Sequence, residues 1–244
     1  MEKDDSIVEA IMECQSLTKR YDNHTALNNI NVTVGKGRIV GLLGPNGSGK
    51  TTLLKMINGL LVPSNGEVII KGMRPGIESK RIVSYLPERN CLNNWMKVKE
   101  LVAYYSDFYA DFSREKASDL MKDLNINMES RLKTLSKGTK EKIQLILVMS
   151  RDADLYCLDE PIGGVDPASR DYIIDTILKC YNRRASILIS THLISDIEHI
   201  LDDVIFIDNG CILQAATAEE IRTGNGVTVD QYFRRIYAKK TDQI

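Results

Sequence analysis

Between residues 11 and 43 the chain alternates short apolar runs with polar turns, the pattern of β-strands rather than helices. Runs at 11–17, 30–34 and 38–43 predict three strands, separated by turns at Asp22-Asn23 and Gly35-Lys36-Gly37. A helix is expected over 52–57. The turn Pro63-Ser64-Asn65-Gly66 then leads into a strand at 67–71, and a further strand at 81–86 stops at Pro87. From about 91 to 150 the apolar spacing changes to that of helices, predicted over 98–109, 113–124 and 138–150. Strands return at 155–158, 186–190 and 204–208, with helices beginning near Pro167 and Leu193. Residues 217–240 read as two amphipathic helices separated by Gly224-Asn225-Gly226. The order is a β-rich start, an α/β core, an inserted helical block and a return to α/β.

At 244 residues the chain can bury a substantial core. Its 32 Lys and Arg nearly cancel 33 Asp and Glu, leaving a net charge of −1. That balance argues against a dedicated nucleic-acid binder, and no nucleic acid is expected as a partner. The five cysteines (14, 91, 157, 180, 211) form no C-x-x-C pair, so reduced thiols are expected rather than disulfides or a zinc site. Cys157 lies in an apolar run and reads as core filling. The start, Met-Glu-Lys-Asp-Asp-Ser, has no basic segment followed by an apolar one, so no signal peptide is expected. The longest apolar run in a helical context is Leu145-Ile146-Leu147-Val148-Met149, far short of the roughly 18 residues of a membrane span. A chain soluble by itself follows, with any membrane role supplied by a partner.

Residues 44–51, Gly-Pro-Asn-Gly-Ser-Gly-Lys-Thr, match the phosphate-binding pattern G-x-x-x-x-G-K-[ST]. Gly44, Gly47 and Gly49 let successive backbone N–H groups of the loop, from Asn46 and Ser48 onward past the donor-less Pro45, curl around a polyphosphate. Lys50 supplies a point charge for the β- and γ-phosphates, and the Thr51 hydroxyl can ligate Mg²⁺. An apolar strand before the loop and a helix opening at Thr52 would aim the helix dipole at the anion. A second element, Asp154-Leu155-Tyr156-Cys157-Leu158-Asp159-Glu160, is a mostly apolar strand ending in two acids. These carboxylates emerge at the C-terminal edge of the sheet, where open α/β sheets bind ligands. Asp159 is suited to hold Mg²⁺, and Glu160 to deprotonate an attacking water.

With both elements present, the chain resembles the nucleotide-binding subunit of ATP-binding-cassette (ABC) transporters over about residues 12–235. The most discriminating mark is Leu135-Ser136-Lys137-Gly138-Thr139, similar to the family's LSGGQ-type signature and 23 residues before Asp159. The resemblance implies an α/β fold. Its P-loop NTPase core (about 11–88 and 151–215) would carry an N-terminal antiparallel β subdomain, an inserted helical subdomain (about 89–150) and a helical tail (216–244), all in one domain. It further implies that Tyr21 stacks on adenine, that His192 contacts the γ-phosphate and that Gly164-Val165-Asp166-Pro167 is a loop crossing between two subunits. ATP and Mg²⁺ are the implied ligands, with Ser136 and Gly138 of one copy completing the site of the other.

Two departures stand out. Glu88 occupies a position where the family often has Gln, adding negative charge while still able to ligate metal and to couple it to the helical block. Lys137 and Thr139 replace the first Gly and the final Gln of the signature. The resemblance also implies separate transmembrane permease subunits, a second ATP-binding subunit as homodimer or heterodimer, and a peripheral place on the cytoplasmic face of the cell membrane. Leu-Pro-Glu and Leu-Ser-Lys-Gly resemble exporters of the bacterial drug- and peptide-resistance type. Trp95, the only tryptophan, reads either as an interface anchor or as core filling. Two other functions share these motifs: a cassette ATPase acting on nucleic acid or ribosomes, and an ATP sensor without turnover. The single cassette and balanced charge disfavour the first; Glu160 and His192 disfavour the second. A GTPase lacks its Asn-Lys-x-Asp segment, and a small-molecule kinase has no use for the signature.

Overall fold

The computed structural model describes residues 9–241; the N-terminal Met-Glu-Lys-Asp-Asp-Ser and the last three residues lie outside the described residues. Two long strands, β1 (Ala10–Tyr21) and β2 (His24–Gly35), pair antiparallel, and β4 (Asn65–Ile70) joins the free side of β1. The strand β3 (Ile39–Leu43) is buried at every residue and belongs to a second, six-stranded sheet. That sheet contains β5 (Val83–Leu86), β6 (Leu155–Asp159), β7 (Ser186–Thr191), β8 (Asp203–Asp208) and β9 (Cys211–Thr217) in the order β5-β6-β7-β3-β8-β9. Pairing is parallel throughout except between β8 and β9. Continuous apolar strands such as β3 and β6 are what a sheet covered on both faces requires.

Helix α1 (Lys50–Ile57) follows β3, and the short α2 (Ile77–Ile82) precedes β5. The predicted strand at 81–86 is therefore too long, because Arg81 and Ile82 close α2. Gly76 N donates to the Ser79 hydroxyl at 2.8 Å, a local cap that strand propensity does not reveal. The helical block contains α3 (Val98–Phe108), α4 (Arg114–Asp123) and α5 (Lys137–Met149). Its core is its own, built from Val98, Leu101, Met121, Leu132, Ile143 and Leu147. Two further helices, α6 (Pro167–Cys180) and α7 (Ile194–Ile197), flank β7. The tail forms α8 (Ala218–Asn225) and α9 (Val229–Thr241). Val229 and Phe233 of α9 pack on the main core, and the Tyr237 hydroxyl donates to the Ile207 carbonyl at 2.8 Å. No helix among the described residues is long and apolar enough to cross a membrane.

Arg151, between α5 and β6, joins the helical block to the α/β core. Its guanidinium pairs with Asp111 at 3.0 Å, donates to the carbonyls of Val83 (2.6 Å) and Arg81 (2.7 Å), and lies 4.0 Å from the Tyr109 ring centre. With the side chain 3 % exposed, these contacts replace the hydration the charge gives up.

Candidate active site

The parallel register assembles the site. β3 lies between β7 and β8, so the loop leaving it starts at the centre of the sheet's C-terminal edge. On β6, Asp159 pairs with Ser190 of β7, which sets the two acids beside that loop. The loop itself cannot carry side chains at two positions. A Cβ at Gly44 would lie 2.3 Å from the Ile207 carbonyl oxygen, and one at Gly49, where φ is +107°, would lie 2.8 Å from that of Ala26. Gly49 is also the residue from which α1 begins.

Lys50 is buried and turned onto its own loop, donating to the carbonyls of Gly44 (2.8 Å) and Pro45 (3.1 Å). Its Nζ lies 3.3 Å from Glu160 Oε1. That contact is an ion pair without hydrogen-bond geometry, and Glu160 Oε1 makes no hydrogen bond. The buried Ser48 hydroxyl likewise has no hydrogen-bond partner. Glu160 Oε2 sits 3.0 Å from His192 Nδ1, and the imidazole is 40 % exposed. The Glu160 backbone is left-handed, φ +49°, a conformation that costs a non-glycine residue roughly 1–2 kcal/mol.

Asp159 is almost wholly buried. Its Oδ1 accepts from the hydroxyls of Ser190 (2.7 Å) and Thr51 (3.1 Å), and Oδ2 accepts from that of Tyr85 (3.4 Å). Burial pushes its carboxyl above the usual range, the Ser190 and Thr51 hydrogen bonds oppose this, and the charges of Glu88 and Glu160 add to it. Tyr85 is raised as well, first by its own burial and then by Asp159.

A cleft of about 350 Å³ is lined by Tyr21, Asn46, Gly47, Ser48, Gly49, Lys50, Thr51, Thr52, Glu88 and Glu160. Tyr21 is 42 % exposed, and Lys19 Nζ lies 5.0 Å from its ring centre. Ser136 and Gly138 do not line this cleft. Ser136 is exposed at the start of α5, where its hydroxyl accepts from Thr139 N at 3.2 Å and lies 2.9 Å from the Thr139 hydroxyl. The replacement Thr139 thus completes the cap, whereas Lys137 points away, 3.7 Å from Glu141. Asp166 caps α6 by accepting from Ser169 N at 3.0 Å. Trp95 is 64 % exposed, which excludes core filling.

The arrangement fits a Mg-nucleotide. Two buried polar atoms without hydrogen bonds and a lysine folded onto carbonyls border a cradle that only glycines can form. Thr51 and Asp159 offer hard oxygen ligands. No group of three or more His, Cys, Asp or Glu that could hold a metal occurs among the described residues. Mg²⁺ usually combines one or two carboxylates with substrate phosphates and water, a donor set to which Thr51 and Asp159 could contribute. Sequence reasoning missed two members of the site. Ser190 and Tyr85 contact Asp159 from neighbouring strands, and only knowledge of the strand pairing brings them together.

Residues 27–163 match the family model described as ABC transporter. Over 217 residues the chain is 29 % identical to the uncharacterized ABC transporter ATP-binding protein YxlF of Bacillus subtilis, covering 87 % of this chain and 72 % of that one. It is 27 % identical over 239 residues to the lipopolysaccharide export system ATP-binding protein LptB of Haemophilus influenzae, covering 93 % and 97 %. A solved structure of the ATP-binding subunit of an ABC transporter superposes with a TM-score of 0.83 at 27 % identity, covering 93 % of this chain and 99 % of that one.

Proposed function

The chain belongs to the ABC transporter family, and we propose that this ATP-binding ATPase dimerises around Mg-ATP to drive an exporter from the cytoplasmic face of a membrane. The observation that carries the reading is Glu160, set between Lys50 and His192 and beside the buried Asp159. In this mechanism Lys50 exchanges its carbonyl contacts for the β- and γ-phosphates, and the loop amides enclose them. Tyr21 stacks on the adenine. Thr51 and Asp159 hold Mg²⁺, which when bound neutralises phosphate charge. Glu160 takes a proton from the attacking water, and His192 orients Glu160 while contacting the γ-phosphate. Ser136 and Gly138 of a second copy close the site over that phosphate.

Cleavage of the terminal phosphate removes the charge that both copies share, and the dimer opens. The helical block, about 89–150, carries the movement outward, with Glu88 linking it to the metal. Exposed Trp95 and a groove of about 540 Å³ bordered by Leu60, Tyr85, Cys91 and Phe108 suit a segment of a transmembrane permease subunit. Export is favoured by the export role in the name of the LptB relative. The test is Glu160→Gln, assayed alone and with the permease of an adjacent reading frame. Turnover is expected to fall about 1,000-fold with nucleotide binding retained. Unchanged turnover in both settings removes Glu160 from the chemistry.

A further inference from the structure

Ser190 plays no part in the reading above, yet it touches both acids. Its side chain is fully buried at the end of β7, directly opposite Asp159 in the sheet. The hydroxyl donates its one proton to Asp159 Oδ1 at 2.7 Å, shorter than the bonds the carboxylate accepts from Thr51 and Tyr85. The same oxygen accepts the Glu160 N–H at 3.1 Å, and the Ser190 carbonyl shares that N–H at 3.1 Å. The peptide so held leads into the left-handed backbone of Glu160.

We propose that Ser190 is a positioning residue that fixes the rotation of the Asp159 carboxylate and the backbone turn aiming Glu160. One hydroxyl thereby ties the metal-side acid to the base, so that both shift together when it is lost. The inference rests on the reading of Asp159 as metal anchor and Glu160 as base. Partners that orient a ligating carboxylate typically change metal affinity or activity by about 10- to 100-fold when removed.

The experiment measures binding of a slowly hydrolysed ATP analogue to the full chain, with Mg²⁺ and with EDTA. Ser190→Ala is expected to keep its affinity in EDTA and to lose about tenfold of the affinity gained with Mg²⁺. Ser190→Cys, close in volume but a weak donor, should give the same split if alanine destabilises the chain. Ser190→Thr, which keeps the hydroxyl, should restore the Mg²⁺ gain. Wild-type Mg²⁺ dependence in a folded Ala or Cys variant overturns the proposal. So does an equal loss of affinity with and without Mg²⁺, the mark of a merely structural role. Wild-type turnover in Glu160→Gln strikes instead at the underlying reading. An inactive Glu160→Gln beside an unaffected Ser190→Ala strikes at Ser190 alone.

Discussion

The P-loop edge and the signature corner each begin a helix where an anion would be welcome, but they are finished to different degrees. At the P-loop edge, Lys50, Asp159 and Ser190 are buried and bonded across two strands, the P-loop and a helix. At the signature corner, Ser136 is exposed and its hydroxyl bonds to Thr139, three residues along its own helix. One half is held in place by the fold before any ligand arrives. The other is an exposed helix cap that lies outside the cleft. The contrast is what the proposed clasp of a nucleotide between two copies would require, with one rigid half-site and one presented half-site on each chain.

Arg151 offers the strongest way to separate the two regions. Removing one partner of a buried ion pair costs about 3 kcal/mol, and Arg151→Met would leave Asp111 and several carbonyls short of a donor. Chemical denaturation should show a loss of that size, while nucleotide affinity at the P-loop edge per folded molecule holds. A joint loss of affinity would mean that the edge depends on the helical block. Ser136→Ala is a smaller change. Loss of the cap should cost about 1 kcal/mol in the same assay. Nucleotide affinity of the isolated chain should stay put, and turnover should fall only where two copies meet. Affinity loss in a monomer would place Ser136 in its own chain's site. The smallest effect is expected from Glu88→Gln, which removes one negative charge from the cleft and keeps an oxygen ligand. Measurable ATPase activity should remain; complete loss of nucleotide binding would reject the role given to Glu88.

The same two regions differ in how far they could be read from sequence. The loop 44–51 and the strand ending Asp159-Glu160 are contiguous motifs, so their chemistry is written locally. The helices of the block followed from apolar spacing, though α5 begins at Lys137, one residue before the expected start. What escaped was long-range. Arg151 gathers carbonyls from residues 70 and 68 positions away in sequence, and no local pattern marks a charge that will be buried. Ser190 stood in plain view beside His192, yet its role appears only once β6 and β7 are in register. Two short elements were also missed. The strand β9 lies half-buried at a sheet edge without clear alternation, and α2 presents Ile77 to solvent instead of an apolar face. Trp95 was ambiguous because one aromatic in a loop carries no periodicity, and exposure alone decided against the core.

Most directly, the mass of Glu160→Gln in solution can be followed by light scattering after size exclusion, with Mg-ATP and with Mg-ADP. The account predicts a dimer of this 27.5 kDa chain with ATP and a monomer with ADP. A chain that stays monomeric with either nucleotide, even with its permease supplied, would contradict it.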